Sequence, residues 1–254
     1  MAKYISLVFR ELKLSKKMLI SSVGLIILFI AFMMLGMYVS GKDAVENGES
    51  MEAFSLILCY MISLLAAGAV SQNTDTAKAD IASGWSVYSH ALPLTGFDIA
   101  VSKCMIKLIF IITGAVLSVI GAVLMTSMGN CTLTLGAAMS YFIILDVFLA
   151  LNILTEAFTA RAKNIGAMKK KGYIIEGIIV AAILIIPELL PEDETLPFNV
   201  DEIFSEGGTP AKLNALTEYI TIPDVWCYAG IALMFVILAV GFIVTMKNYE
   251  RRES

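Results

Sequence analysis

The sequence predicts an all-α membrane protein with six transmembrane helices, on three observations: its residue balance, the length of its uncharged runs, and where its cations fall. Of 254 residues, 58% are apolar and 16% charged, and the mean hydropathy is +0.82. A water-soluble fold of this make-up would lack the polar surface to cover itself. Crossing a hydrocarbon core takes about 20 consecutive apolar residues in a helix. A closed β-barrel is the other way to pair every backbone group in lipid, but it needs alternating polarity, and runs such as GLIILFIAFMMLGM do not alternate.

The chain opens with MAKYISLVFRELKLSKK. Tyr4, Val8 and Leu12 recur every four residues, Ile5 and Phe9 widen the stripe, and Arg10, Lys13, Lys16 and Lys17 occupy the other side. This pattern predicts an amphipathic helix lying in the inner headgroup layer; the plainer alternative is a basic flank to the first span. The spans follow at about 18–40, 53–70, 104–127, 133–154, 173–190 and 225–246, and together they make one transmembrane domain over 1–254. The first is too long for the apolar region of a cleavable signal, and no small-x-small cleavage site follows it. The uncharged run from Leu108 to Leu145 exceeds one crossing, and Met128-Gly129-Asn130-Cys131-Thr132 divides it as a turn, so spans three and four read as a helical hairpin.

Charge sets the orientation. With the amino terminus inside, only Lys42 and Lys212 of the 18 basic residues fall in outer segments, and cytoplasmic loops are the ones enriched in Lys and Arg. Acidic residues lean the other way, with Asp43, Glu46, Glu49 and Glu52 in the first outer loop and nine more from Glu188 to Asp224. Both termini are therefore expected in the cytoplasm.

The loop from Ser71 to Lys103 is the longest cytoplasmic one. A short helix is expected before Gly84. A second should start after Thr95, with Thr95 as N-cap and Asp98 completing a capping box, and run into the third span. Trp85 and Tyr88 in this loop suit contact with a partner, or else anchorage at the membrane interface. The second inner loop, with Lys169, Lys170 and Lys171, is accounted for by topology and attraction to anionic lipid. Outside, residues 187–223 are too many for a simple turn, and Pro210 after Thr209 predicts a helix to about Tyr219, so a small acidic helical cap lies between spans five and six.

Catalytic patterns are missing. There is no GxxxxGK phosphate loop and no GxSxG elbow, and His90 is the only histidine. The reading is of a non-enzyme with no cofactor or metal in this chain and no nucleic-acid partner. Cys59, Cys104, Cys131 and Cys227 form no metal-binding spacing; an oxidised Cys131–Cys227 pair is conceivable, and small apolar fillers are the favoured reading. Charges within spans need an explanation, since lipid penalises them. Asp146 lies roughly 10 Å from the inner end of the fourth span, and Lys107 enters the third about one turn from the same side. A Lys107–Asp146 pair across the hairpin is the favoured reading, with a solute or proton path as the alternative. Glu176 beside the three lysines reads as an interfacial pair.

The order of parts resembles the ABC-2 type permeases, the membrane subunits of ATP-binding-cassette exporters. The first inner loop carries the likeness: Asp75, Asp80, Gly84-Trp85, Tyr88, Ala91-Leu92-Pro93-Leu94-Thr95 and Ser102-Lys103 look like that family's loop, in which a small-Leu-Pro-Val/Leu-Ser/Thr run precedes a Lys at the mouth of the third span. Size and loop pattern are similar to permeases of phenol-soluble modulin export and bacteriocin immunity. The resemblance implies a bacterial cytoplasmic-membrane protein whose coupling helix, with Asp75, Lys78, Asp80, Gly84, Trp85 and Tyr88, docks on a separate ATPase subunit that holds ATP and Mg. It implies a second permease subunit, the same or different, and a hydrophobic or amphipathic cargo such as a peptide. A secondary transporter, or a non-transporting subunit that anchors a cytoplasmic partner, is the alternative.

Overall fold

The computed structural model describes residues 2–46, 51–71, 94–159 and 221–253. They form five helices and, among the described residues, no strand: α1 Ala2–Glu46, α2 Glu52–Ser71, α3 Gly96–Met128, α4 Leu135–Thr159 and α5 Asp224–Glu253. Each is long and apolar enough to cross a membrane, so the chain has the make-up of a multi-pass membrane protein. The predicted span at 173–190, the coupling helix and the outer helical cap lie outside the described residues.

Two predicted local features are present. Thr95 caps α3 in a capping box: the Asp98 N–H donates to Thr95 Oγ1 at 3.3 Å, and the Thr95 N–H donates to Asp98 Oδ2 at 2.8 Å. As expected, the helix that begins there runs directly into the third span. At its other end, α3 stops at Met128, Asn130 takes the left-handed conformation (φ 52°), and the Cys131 N–H returns to the Thr126 carbonyl at 3.0 Å. The turn satisfies carbonyls that the helix end would otherwise leave bare.

The amino-terminal segment departs from expectation. No non-helical residue separates the amphipathic stretch from the first span; α1 is one helix of 45 residues, about 68 Å long. Between Leu12 and Val23 there is neither Gly nor Pro, and lysines and leucines favour helix, so nothing in the sequence turns the chain into the membrane plane. The buried stripe of this stretch is Leu7, Glu11 and Ser15, continued by Ile26, Ile30 and Met37. Val8 and Leu12 border the core, whereas Ile5 and Phe9 point away from it, each 66% exposed.

Lipid tails are as apolar as leucine, so helices inside a bilayer are held by close approach and interhelical hydrogen bonds. α2, α3 and α4 meet accordingly. The Ser63 hydroxyl joins Ser118 of α3 at 2.9 Å and Ser140 of α4 at 2.7 Å, all three buried. Gly114 gives room for Tyr141, whose hydroxyl donates to the Ile111 carbonyl at 3.1 Å. Gly121 lies against Ile62 and Ile30, which brings α1 into the same layer. On the far side Gly230 and Gly241 of α5 face Ile143 and Ile153 of α4, so these two helices run parallel. Exposed Tyr38 on α1 and exposed Trp226 and Tyr228 on α5 sit towards one end of the bundle, placed to form an interfacial aromatic belt.

A Cβ at Gly114 would meet the Tyr141 hydroxyl and lie 2.7 Å from Val70 Cγ2. Gly114→Ala is therefore expected to cost about 1–3 kcal/mol by overpacking. Gly36→Ala, where a Cβ meets nothing within 4 Å, should stay within about 0.5 kcal/mol. Steric-trapping measurements of unfolding in bicelles compare the two.

Candidate functional site

One end of the bundle is where the chain leaves α2 and enters α3, and both points are fixed. α2 ends at Ser71, and the last carbonyls of a helix have no intrahelical partner. Asn152 of α4 donates its side-chain N–H to the Ser71 carbonyl, while the Ser71 hydroxyl turns back to the Gly68 carbonyl at 3.0 Å. At the return point Asp98 is 3% exposed. Its carboxylate accepts from both the amide and the hydroxyl of Thr95, and a negative charge in the first turn suits the helix dipole. Phe97 then stacks edge-on against Phe242 of α5, with centroids 5.5 Å apart. The segment between residues 71 and 95 is thus tied to α4 at one end and to α3 and α5 at the other.

Between α3, α4 and α5 at this same end lies a cavity of about 20 Å³ lined by, among others, Lys103, Lys107, Leu149, Asn152, Ile153 and Thr245. That is enough for a water molecule, and Lys103, Lys107, Asn152 and Thr245 are the polar side chains on its largely apolar wall. Asp146, Leu149 and Ile153 follow at i, i+3 and i+7 and so share one face of α4. Asp146 is the residue on that face just beyond the cavity, deeper in the bundle.

Of the residues singled out from the sequence, Lys107 and Asp146 are described; Asp75, Lys78, Asp80, Gly84, Trp85, Tyr88 and Glu176 lie outside the described residues. Lys107 and Asp146 do stand at about the same height. Tyr141 reaches Ile111, and five residues on along α4 and four back along the antiparallel α3 arrive at this pair. The expected pair is nevertheless not formed: among the described residues neither Asp146 oxygen has a hydrogen-bond partner, and the residue is only 5% exposed. Side-chain direction is the reason. Asp146 lies between Ile143 and Ile153, the residues packed on Gly230 and Gly241, so it projects into the α4–α5 seam rather than across the hairpin.

All four cysteines are free thiols, so the conceivable Cys131–Cys227 bond is absent. Cys131 lies in the turn between α3 and α4, where burial pushes its thiol above the usual range, partly offset by the Ser55 hydroxyl. Among the described residues no group of His, Cys, Asp and Glu is placed to hold a metal ion. Sequence reasoning missed Asn152. The available signal was a lone amide in the otherwise apolar LALNIL, one of the few polar side chains in a span and therefore due a partner.

Asn152→Leu keeps the branched outline of the side chain and removes the donor. A net hydrogen bond of about 0.5–1.5 kcal/mol implies amide exchange in the last turn of α2, Gly68 to Ser71, faster by about two- to tenfold; hydrogen-exchange mass spectrometry reads it. Compared with protein-family models, with curated proteins and with solved structures, the chain matches none.

Proposed function

We propose that this chain is the membrane-spanning subunit of an ATP-driven exporter, receiving work from a separate ATPase through the loop between Ser71 and Thr95. The observation that carries the reading is the double anchorage of that loop. A push on a segment tied by Asn152 to α4 and by the Thr95–Asp98 box to the start of α3 moves two spans together, as a coupling element must. The loop's own Gly84, Trp85 and Tyr88, its Leu-Pro-Leu-Thr exit, and the lack of any nucleotide-binding or catalytic pattern in the sequence agree with it.

In this reading the chain crosses a bacterial cytoplasmic membrane six times. The parallel course of α4 and α5 supports the sixth crossing, because the chain must return once between two helices that point the same way. Two such subunits would enclose a path for a hydrophobic or amphipathic cargo, a peptide by preference. ATP and Mg belong to the partner, and anionic lipid meets the basic inner flanks. One observation favours a second reading, a secondary transporter driven by protons: the unpartnered carboxylate of Asp146 in the bundle.

The test is co-purification with candidate ATPase subunits from the same cell. Trp85→Ala and Tyr88→Ala together are expected to weaken the association by about tenfold or more, since buried aromatic anchors carry about 2 kcal/mol or more, while insertion in the membrane is retained. If no nucleotide-binding subunit associates and the double variant leaves function intact, the exporter reading fails. Orientation is checked separately in a cysteine-free background: an impermeant maleimide should label Ser50→Cys in whole cells and Ser254→Cys only after permeabilisation.

A further inference from the structure

Asp146 is the described side chain whose surroundings least suit its ordinary chemistry. Both carboxylate oxygens are buried and neither has a hydrogen-bond partner among the described residues. Its own face of α4 offers Ile143, Leu149 and Ile153, and at this height α5 contributes buried Met234 and Leu238. An ionised carboxylate stripped of water without compensation costs several kcal/mol at least, so the neutral acid is the form that fits.

We propose that Asp146 is a proton-binding site: a carboxylic acid held neutral in the α4–α5 seam, which exchanges its proton with the inner side through the cavity between α3, α4 and α5, Lys107 serving as counter-charge whenever the acid is ionised. In the exchange the acid O–H bond breaks, its electron pair stays on the carboxylate, and the proton passes to water in the cavity and out past Thr245. Lys107 lines that cavity and stands at about the height of Asp146, where its positive charge lowers the cost of the anion.

The occupant is a proton rather than a metal or an organic cation. No cluster of metal-binding side chains is present among the described residues. An ammonium or guanidinium entering from the inner side would have to pass Lys103 and Lys107, both lining the cavity. Other titratable groups are few: Cys104 also lines the cavity on α3, Tyr141 and Glu156 are the nearest on α4, Lys247 is the nearest on α5, and Leu64 to Ser71 of α2 carry none. The inference does not rest on the exporter reading, since it needs no ATPase.

Infrared spectra of the full chain in lipid nanodiscs test it, with Asp146→Asn as the subtracted reference. At pH 6 an aspartate with the ordinary pKa of about 3.9 is only about 1% protonated. The expected difference spectrum at pH 6 carries one carboxylic-acid C=O band, which shifts when H₂O is replaced by D₂O and fades as pH is raised. Lys107→Met should move that fading to at least about tenfold lower proton concentration, the ionised form having lost its counter-charge. Absence of the acid band at pH 6 would overturn the proposal, because Asp146 would then be ionised and paired. A band that ignores D₂O would overturn it too, because the acid would be sealed from solvent. Should Asp146→Asn fail to fold, Asp146→Glu keeps the carboxyl group, and a shifted rather than lost band makes the same assignment.

Discussion

One hydroxyl holds three helices in register. Ser63 of α2 joins Ser118 of α3 and Ser140 of α4 at a depth where no water competes and apolar burial gives little preference for a protein neighbour over lipid. Bonds of this kind average about 0.6 kcal/mol in a bilayer, which is modest. Their value here is positional. With Ser63 fixed, α2 can neither slide nor rotate against the α3–α4 hairpin, and the glycine contacts along the same seams follow from that register.

The inner end inherits this register. From Ser63 to Ser71 is about two turns of α2, and from Ser140 to Asn152 rather more than three turns of α4. Both helices run the same way, so the Ser71 carbonyl arrives opposite Asn152 only if the serine contact is in place. The same holds across the hairpin, where Tyr141 on Ile111 sets the height of Lys107, which lines the cavity, and of Asp146 just beyond it. Anchorage of the loop and placement of the buried acid are thus two consequences of one packing arrangement.

Much of this was legible in the sequence, and what was not has identifiable physical causes. The capping box at Thr95 and Asp98 and the turn at Gly129 and Asn130 depend on nearest neighbours and were readable. The length of α1 was not, because amphipathic periodicity predicts a face and not an axis; only the absence of a breaker from Leu12 to Val23 spoke against a turn. The Lys107–Asp146 pairing was right in height and wrong in azimuth: hairpin arithmetic gives the level of a residue, but the third neighbour, α5, decides which way its face is turned. Asn152 and the serine trio were hidden for a different reason. Serine is ordinary in spans, and a hydrogen bond between residues 77 positions apart leaves no local trace.

The parallel course of α4 and α5 bears on how the protein is made. α3 and α4 are joined by a short turn and can enter the bilayer as a pair, whereas α5 is separated from α4 by residues 160–223 and is synthesised later. Until it docks, the face of α4 that carries Ile143, Asp146 and Ile153 lacks the helix whose glycines receive it. The nascent chain therefore carries Asp146 without α5 beside it for the time the ribosome needs to add some seventy residues or more, which puts the closing of the α4–α5 seam well after the α3–α4 hairpin is complete.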